Sequence, residues 1–381
     1  MYRFEQLAPS VYTQALRAGS RMVSSDVAGK ERFAVLDGMR GLAALAVITD
    51  HVPSTLMTTL LPGRYLAVDF FFVLSGFVLA HVYAERLKSG LTLGAFMRIR
   101  VIRLYPLYIL GTLAGAALAL LYATRAWGEA TPESVASSLL FALFLVPCPP
   151  LFSIWPNAPF PLNGPAWSLF FELFINAVFA LFARWLMPKL CVVFMAIGAL
   201  ALVPTALAFG QLDGGFAWSN FVAGFPRVTF GFFTGVWLYQ TRMHERLPTL
   251  PPWAAYMALA AVFMIPGEGF WRVVIDLSAV LIVFPALVAL CANSRARGAM
   301  LRASTIVGTL SYGVYVLHVP LWGWLQLVLQ RFSIDLPGVA NVALTAVAAL
   351  AAAAVLHAWY DKPLRRRLSR KRQARAAPTG D

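Results

Sequence analysis

Long apolar stretches recur along almost the whole chain, and they admit one kind of folding solution. They run roughly over 39–60, 66–86, 106–123, 134–147, 165–186, 190–209, 221–241, 252–266, 271–292, 304–330 and 338–360. A hydrocarbon layer about 30 Å thick takes about 20 helical residues to cross. Inside it the backbone N–H and C=O groups meet no water and must pair within the segment, which leaves the helix. Composition agrees, with 60% of the 381 residues hydrophobic and only 13% charged. The expected fold is all-α, a polytopic transmembrane helix bundle.

Lys and Arg decide how the stretches cross. Their clusters fall at 86–103, 184–189, 242–246, 295–302 and from 362 onward. If all eleven stretches cross, with the N-terminus inside, the clusters after the fourth stretch fall on the wrong side. If 134–147 does not cross, every cluster is cytoplasmic. That stretch is the shortest, and the proline-rich VPCPPLFSIWPNAPFPLNGP after it has no lysine or arginine, as suits a re-entrant or interfacial segment. About ten spans result, eleven if 134–147 crosses. Residues 1–35 form an N-terminal segment and 365–381 a basic tail, both expected at the cytoplasmic face, around a transmembrane domain over 36–364. The N-terminal segment lacks the short apolar core and cleavage site of a signal peptide.

The net charge of +14 would suggest nucleic acid for a soluble chain, but no nucleic-acid partner is expected here. The tail RRRLSRKRQAR is placed to meet anionic membrane lipid. Cys148, Cys191 and Cys291 are odd in number and widely spaced, so neither a disulfide framework nor a metal site is expected. No GxxxxGK[ST], HExxH, CxxC or GxSxG motif occurs, which removes the usual markers of ATP-driven transport, zinc hydrolysis and elbow-serine hydrolysis.

Polar residues interrupting the apolar stretches are the candidates for chemistry, because ionisable groups at that depth are costly. Arg40 and His51 in LDGMRGLAALAVITDH are eleven residues apart, within about 20° of one helix face and about 16 Å along it. A helix entering near Arg40 would put the imidazole near mid-membrane. Glu172, in PAWSLFFELF, falls at a similar level and would orient His51 as a carboxylate orients a general base. Arg98, Arg100 and Arg103 in RIRVIRLYP suit phosphate oxygens of lipid headgroups or of a phosphorylated cofactor. Asp69, Arg227, Tyr312 and His318 also lie in or beside apolar runs and are candidate substrate contacts. Packing is the alternative for Glu172, and a hydrogen-bonded core position for His318.

The ordered set LDGMRGLAALAVITDH, AVDFFFVLSGFVLA, RIRVIRLYPLY, PAWSLFFELF, SYGVYVLHVPL and WYDKPLRRRL resembles the acyltransferase-3 family of bacterial membrane acyltransferases, from about Leu36 to Leu368. The resemblance implies transfer of an acyl group, usually acetyl, from cytoplasmic acyl-CoA to a hydroxyl of a carbohydrate, with no metal. It implies a multi-pass protein of the bacterial cytoplasmic membrane, acting on a cell-surface or exported polysaccharide and working beside polysaccharide assembly or export proteins. It maps His51 to the essential histidine, Arg40 to its partner arginine, and Arg100 and Arg103 to an RxxR pair. The aromatic pair that often follows the glutamate is replaced here by Leu173 and Phe174. The competing function is a transporter, in which His51, Glu172 and Arg227 would form a path without making a bond, or a non-catalytic partner in polysaccharide export.

Overall fold

A computed structural model describes residues 33–125 and 130–368. Most of the expected N-terminal segment 1–35 and of the basic tail 365–381 lies outside the described residues. The main helices are α1 (Ala34–His51), α2 (Ala67–Lys88), α3 (Leu93–Thr124), α4 (Pro132–Leu143), α5 (Ala166–Phe182), α6 (Pro188–Phe209), α7 (Gly224–Gln240), α8 (Pro252–Met264), α9 (Gly269–Cys291), α10 (Gly298–Arg331) and α11 (Gly338–Leu368). Each apolar stretch of the sequence becomes one of them. Seven helices, α2, α3, α6, α7, α9, α10 and α11, are long and apolar enough to cross a membrane. Helices α4, α5 and α8 are shorter, and α1 carries Asp37, Arg40 and Asp50 within its 18 residues.

The first helix departs from the expected span 39–60. It starts at Ala34 and stops at His51, because Val52 precedes Pro53 and is driven to extended backbone (φ −101°, ψ 114°). Ser54 then caps a separate short helix, Thr55–Leu60, by accepting from the backbone N–H of Met57. His51 is therefore the last residue of α1.

Contacts between helices fix their directions. Gly38 and Gly41 of α1 meet Ser304 and Val307 of α10, and His51 meets His318, so the two helices are parallel. Asp69 pairs with Arg227 and Gly76 abuts Phe232, which makes α2 and α7 parallel. Tyr312 reaches Leu104 and Trp324 reaches Ala114, so α3 runs with α10. Arg100 meets Glu172 while Gly115 abuts Leu162 just ahead of α5, so α3 and α5 are antiparallel. Among the described residues α4 is the one α-helix between α3 and α5, and their opposition requires that α4 not traverse. At 12 residues it spans about 18 Å, too little for the layer. The directions are those of ten passes. They gather Lys88, Arg184, Arg242, Arg297 and Arg365 at one end of the bundle, called below the basic end.

Backbones approach closely where glycine allows it. A Cβ on Gly76 would stand 1.9 Å from the Phe232 carbonyl oxygen, and one on Gly308 would stand 2.6 Å from Asp37 Cβ. Helices α2 and α7 are the most enclosed spans, while α6 and α11 are peripheral.

Candidate active site

The helix that stops at His51 delivers its imidazole to α10. His51 Nδ1 lies 3.2 Å from His318 Nε2 and 3.1 Å from the Val47 carbonyl oxygen one turn back. The rings meet edge to face, with centroids 4.9 Å apart. His318 is fully buried, and its Nδ1 lies 3.1 Å from the Val314 carbonyl oxygen. Pro320, two residues on, has no N–H for the Val316 carbonyl one turn earlier. Asn163 Nδ2 donates to that oxygen at 3.1 Å, which repairs α10 beside the histidine. Half-buried His51 leaves its Nε2 without a hydrogen bond among the described residues.

Toward the basic end lies a cluster of guanidinium groups. Arg100, buried on α3, donates through Nη2 to Glu172 Oε1 at 2.6 Å, and Ser75 Oγ donates to the same oxygen at 3.2 Å. Arg40 donates to Ser311 Oγ (3.0 Å) and to the Gly308 carbonyl (2.8 Å), and pairs with Asp37 (2.8 Å). Both Arg103 and Glu172 act electrostatically on Arg40, and Arg103 also acts on Arg100 and on Arg365 of α11. Arg103 is exposed and forms no ion pair among the described residues. Arg98 lies about 200° around α3 from Arg100 and is exposed away from this group. From Ser311, beside Arg40, to His318 is about 10 Å along α10, and from Arg40 to His51 about 16 Å along α1.

Glu172 is thus engaged with Arg100 and Ser75, and the hydrogen-bond partner of His51 is an imidazole in place of the expected carboxylate. Tyr312 is also placed differently: its hydroxyl donates to the Leu104 carbonyl and ties α10 to α3. Asp69 and Arg227 are fully buried and satisfy each other, with Nε to Oδ1 at 3.0 Å and Nη2 to Oδ2 at 2.7 Å. Arg227 also donates to the Gly214 and Tyr65 carbonyls and faces the Trp167 ring. This closed lock replaces the substrate contact expected of both residues.

Sequence reasoning missed a second lock at the far end. Asp276, fully buried, accepts from Tyr65 Oη (2.7 Å), Leu212 N (2.8 Å) and Arg272 Nε (2.8 Å). Arg272 and Asp276 are four apart on a helix, the signal that could have found them. Nearby, Arg64 pairs with Asp50 at 3.0 Å. In the loop between α6 and α7, burial and the neighbouring Asp50 push the Asp213 carboxyl up to about 6, against the pull of Arg227 and Arg64. Among the described residues no group of three His, Cys, Asp or Glu could hold a metal ion.

The sequence profile of a family described as an acyltransferase domain, Acyl_transf_3, matches residues 33–358. The chain belongs to this family. A relative named "Protein 2 in picA locus", from Rhizobium radiobacter, is 39% identical over 196 residues, which cover 47% of this chain and 97% of that protein. "Acyltransferase MdmB", from Streptomyces mycarofaciens, is 30% identical over 164 residues, 40% of each chain. No solved structure matches. In an acyltransferase of the Acyl_transf_3 family, the arrangement of an unpaired imidazole nitrogen above a cluster of guanidinium groups has the parts that a base and an anionic donor require.

Proposed function

We propose that this acyltransferase moves an acyl group, most simply acetyl, from acyl-CoA bound at the basic end to a hydroxyl of a carbohydrate that enters from the other end. The observation that carries the reading is His51 Nε2, unbonded and about two to three helix turns beyond the Arg40, Arg100 and Arg103 cluster. The basic end then faces the cytoplasm of a bacterial inner membrane, where lysine and arginine concentrate and where acyl-CoA is made. Arg103, with Arg40 and Arg100 behind it, meets the phosphates, and the pantetheine arm runs inward toward His51.

At the thioester, His51 Nε2 takes the hydroxyl proton as the acceptor oxygen attacks the carbonyl carbon. The C–S bond breaks, and the leaving sulfur recovers the proton from Nε2. Glu172 serves this scheme through Arg100, which it holds in place. Attack by Nε2 itself would give an acyl-histidine, and a burst of thiol release without acceptor would reveal it. The resemblance of the sequence motifs to enzymes that modify cell-surface glycans supports a polysaccharide acceptor, with export or assembly proteins as neighbours.

The test is release of free thiol from acetyl-CoA and longer acyl-CoAs by the purified protein in lipid discs, with a panel of bacterial glycans, for wild type and His51→Ala. Release that needs both a glycan and His51 supports the proposal and names the acceptor class. Release independent of His51, or none with any pair, overturns it and favours a transporter or an export partner.

A further inference from the structure

His318 Nδ1 lies 3.1 Å from the Val314 carbonyl oxygen. A carbonyl can only accept, so Nδ1 carries the hydrogen. The ring is fully buried and has no carboxylate among its hydrogen-bond partners, conditions under which an imidazole stays neutral. Its Nε2 therefore presents a lone pair, 3.2 Å from His51 Nδ1. His51 Nδ1 has a second neighbour, the Val47 carbonyl oxygen at 3.1 Å, which also only accepts. Both neighbours demand a hydrogen on His51 Nδ1, and a neutral imidazole carries one hydrogen.

We infer that His318 is a positioning residue that holds His51 as the Nδ1–H tautomer and thereby makes Nε2 its basic atom; this rests on the reading of His51 as the general base. The second nitrogen of a histidine is set by the bond the first one makes, and here an imidazole does what a carboxylate does in the Ser-His-Asp arrangement. Its own orientation is fixed by the Val314 bond, by the Tyr315 ring at 6.2 Å between centroids, and by Asn163 on the Val316 carbonyl freed by Pro320. The proton balance closes on one atom. The acceptor O–H proton moves to His51 Nε2 as the O–C bond forms, and leaves from Nε2 to the sulfur once the C–S bond has broken. The Nδ1 hydrogen stays where it is, and His318 neither gains nor loses a proton.

The experiment reads the tautomer directly. Full-length protein with ¹⁵N-labelled histidine is placed in lipid discs; the chain has 5 histidines, and His51→Asn assigns the resonance. We expect wild-type His51 in the Nδ1–H form. His318→Phe, which keeps the ring and leaves the Val47 carbonyl as the remaining acceptor on Nδ1, should lower the Nδ1–H fraction below that of wild type. His318→Gln, whose amide oxygen falls near the Nε2 position, should keep it. In the thiol-release assay His318→Phe should lower kcat by about 100-fold with KM for the donor unchanged, and His318→Gln should recover to within about tenfold of wild type. Wild-type His51 protonated at Nε2, or a His318→Phe protein whose Nδ1–H fraction equals that of wild type, overturns the inference. Should His318→Phe fail to fold, His318→Leu, which also lacks the acceptor, takes its place. Absence of thiol release with every donor would defeat the proposed function while leaving the tautomer spectrum to judge this inference separately.

Discussion

Arg100 and Glu172 form an ion pair of 2.6 Å between antiparallel α3 and α5, and Ser75 of α2 donates to the same carboxylate oxygen. The guanidinium side chain is 6% exposed and the carboxylate 21%, so the pair stands at the edge of the bundle interior. Arg100 Nε is buried without a hydrogen bond, and Glu172 is the one carboxylate paired with this cation among the described residues. Glu172→Gln keeps the shape and removes the counter-charge. We expect a lower KM for the anionic donor together with a loss of about 1–3 kcal/mol of stability, read by steady-state kinetics and by unfolding in lipid discs. A raised KM would contradict the view that Glu172 competes with the donor for Arg100.

The Asp69–Arg227 lock makes a different demand. Removing one partner strands a charge in a fully buried site, and Asp69→Asn should cost about 3–5 kcal/mol. Replacing both, Asp69→Leu with Arg227→Met, should recover most of that loss. Donor KM measured on the folded fraction should not move, since neither group is open to substrate.

Gly76 tests the packing of the two central spans. Its Cβ would sit 1.9 Å from the Phe232 carbonyl oxygen, part of the α7 backbone, which cannot swing aside. Gly76→Ala should force α2 from α7 and sharply reduce the yield of folded protein. Gly94→Ala, with nothing within 4 Å of the new carbon, serves as the control and should be tolerated.

Asp213 carries a pH signature. Its folded carboxyl titrates near 6, against about 4 in the unfolded chain, so the folded state binds the proton more tightly. Stability should therefore fall as pH rises from about 4 through about 6 and level off above. Asp213→Asn should remove that slope, raising the apparent melting temperature at pH 8 and leaving it nearly unchanged at pH 4. Equal melting shifts at both pH values would argue against the titration.

Asn163 should matter through one carbonyl. Asn163→Ala leaves the Val316 oxygen, freed by Pro320, without its donor, at a cost of about 1–3 kcal/mol. Because α10 carries His318 two residues away, thiol release should fall by more than the melting shift alone explains.

Much of the architecture was legible from residues in order. Each apolar stretch became a helix, since in hydrocarbon only local pairing satisfies the backbone. The lysine and arginine clusters led to ten passes with 134–147 left out, and the opposed directions of α3 and α5 agree. Even the break after His51 was written in Val52–Pro53, although the expected span ran through it. Partnership was another matter. Glu172 was expected to reach His51 but pairs with Arg100; His318 was left between core and function but meets His51; Asp69 and Arg227 were expected to meet substrate but close on each other. The sequence by itself determined which polar groups fall on the apolar helices, because position along a helix is a local count of residues. Only the tertiary structure decided which of them meet, because that depends on the rotation and closeness of helices far apart in the chain, as with Arg40 and Ser311, 271 residues apart, and a hydrogen bond is made or lost within a few tenths of an ångström.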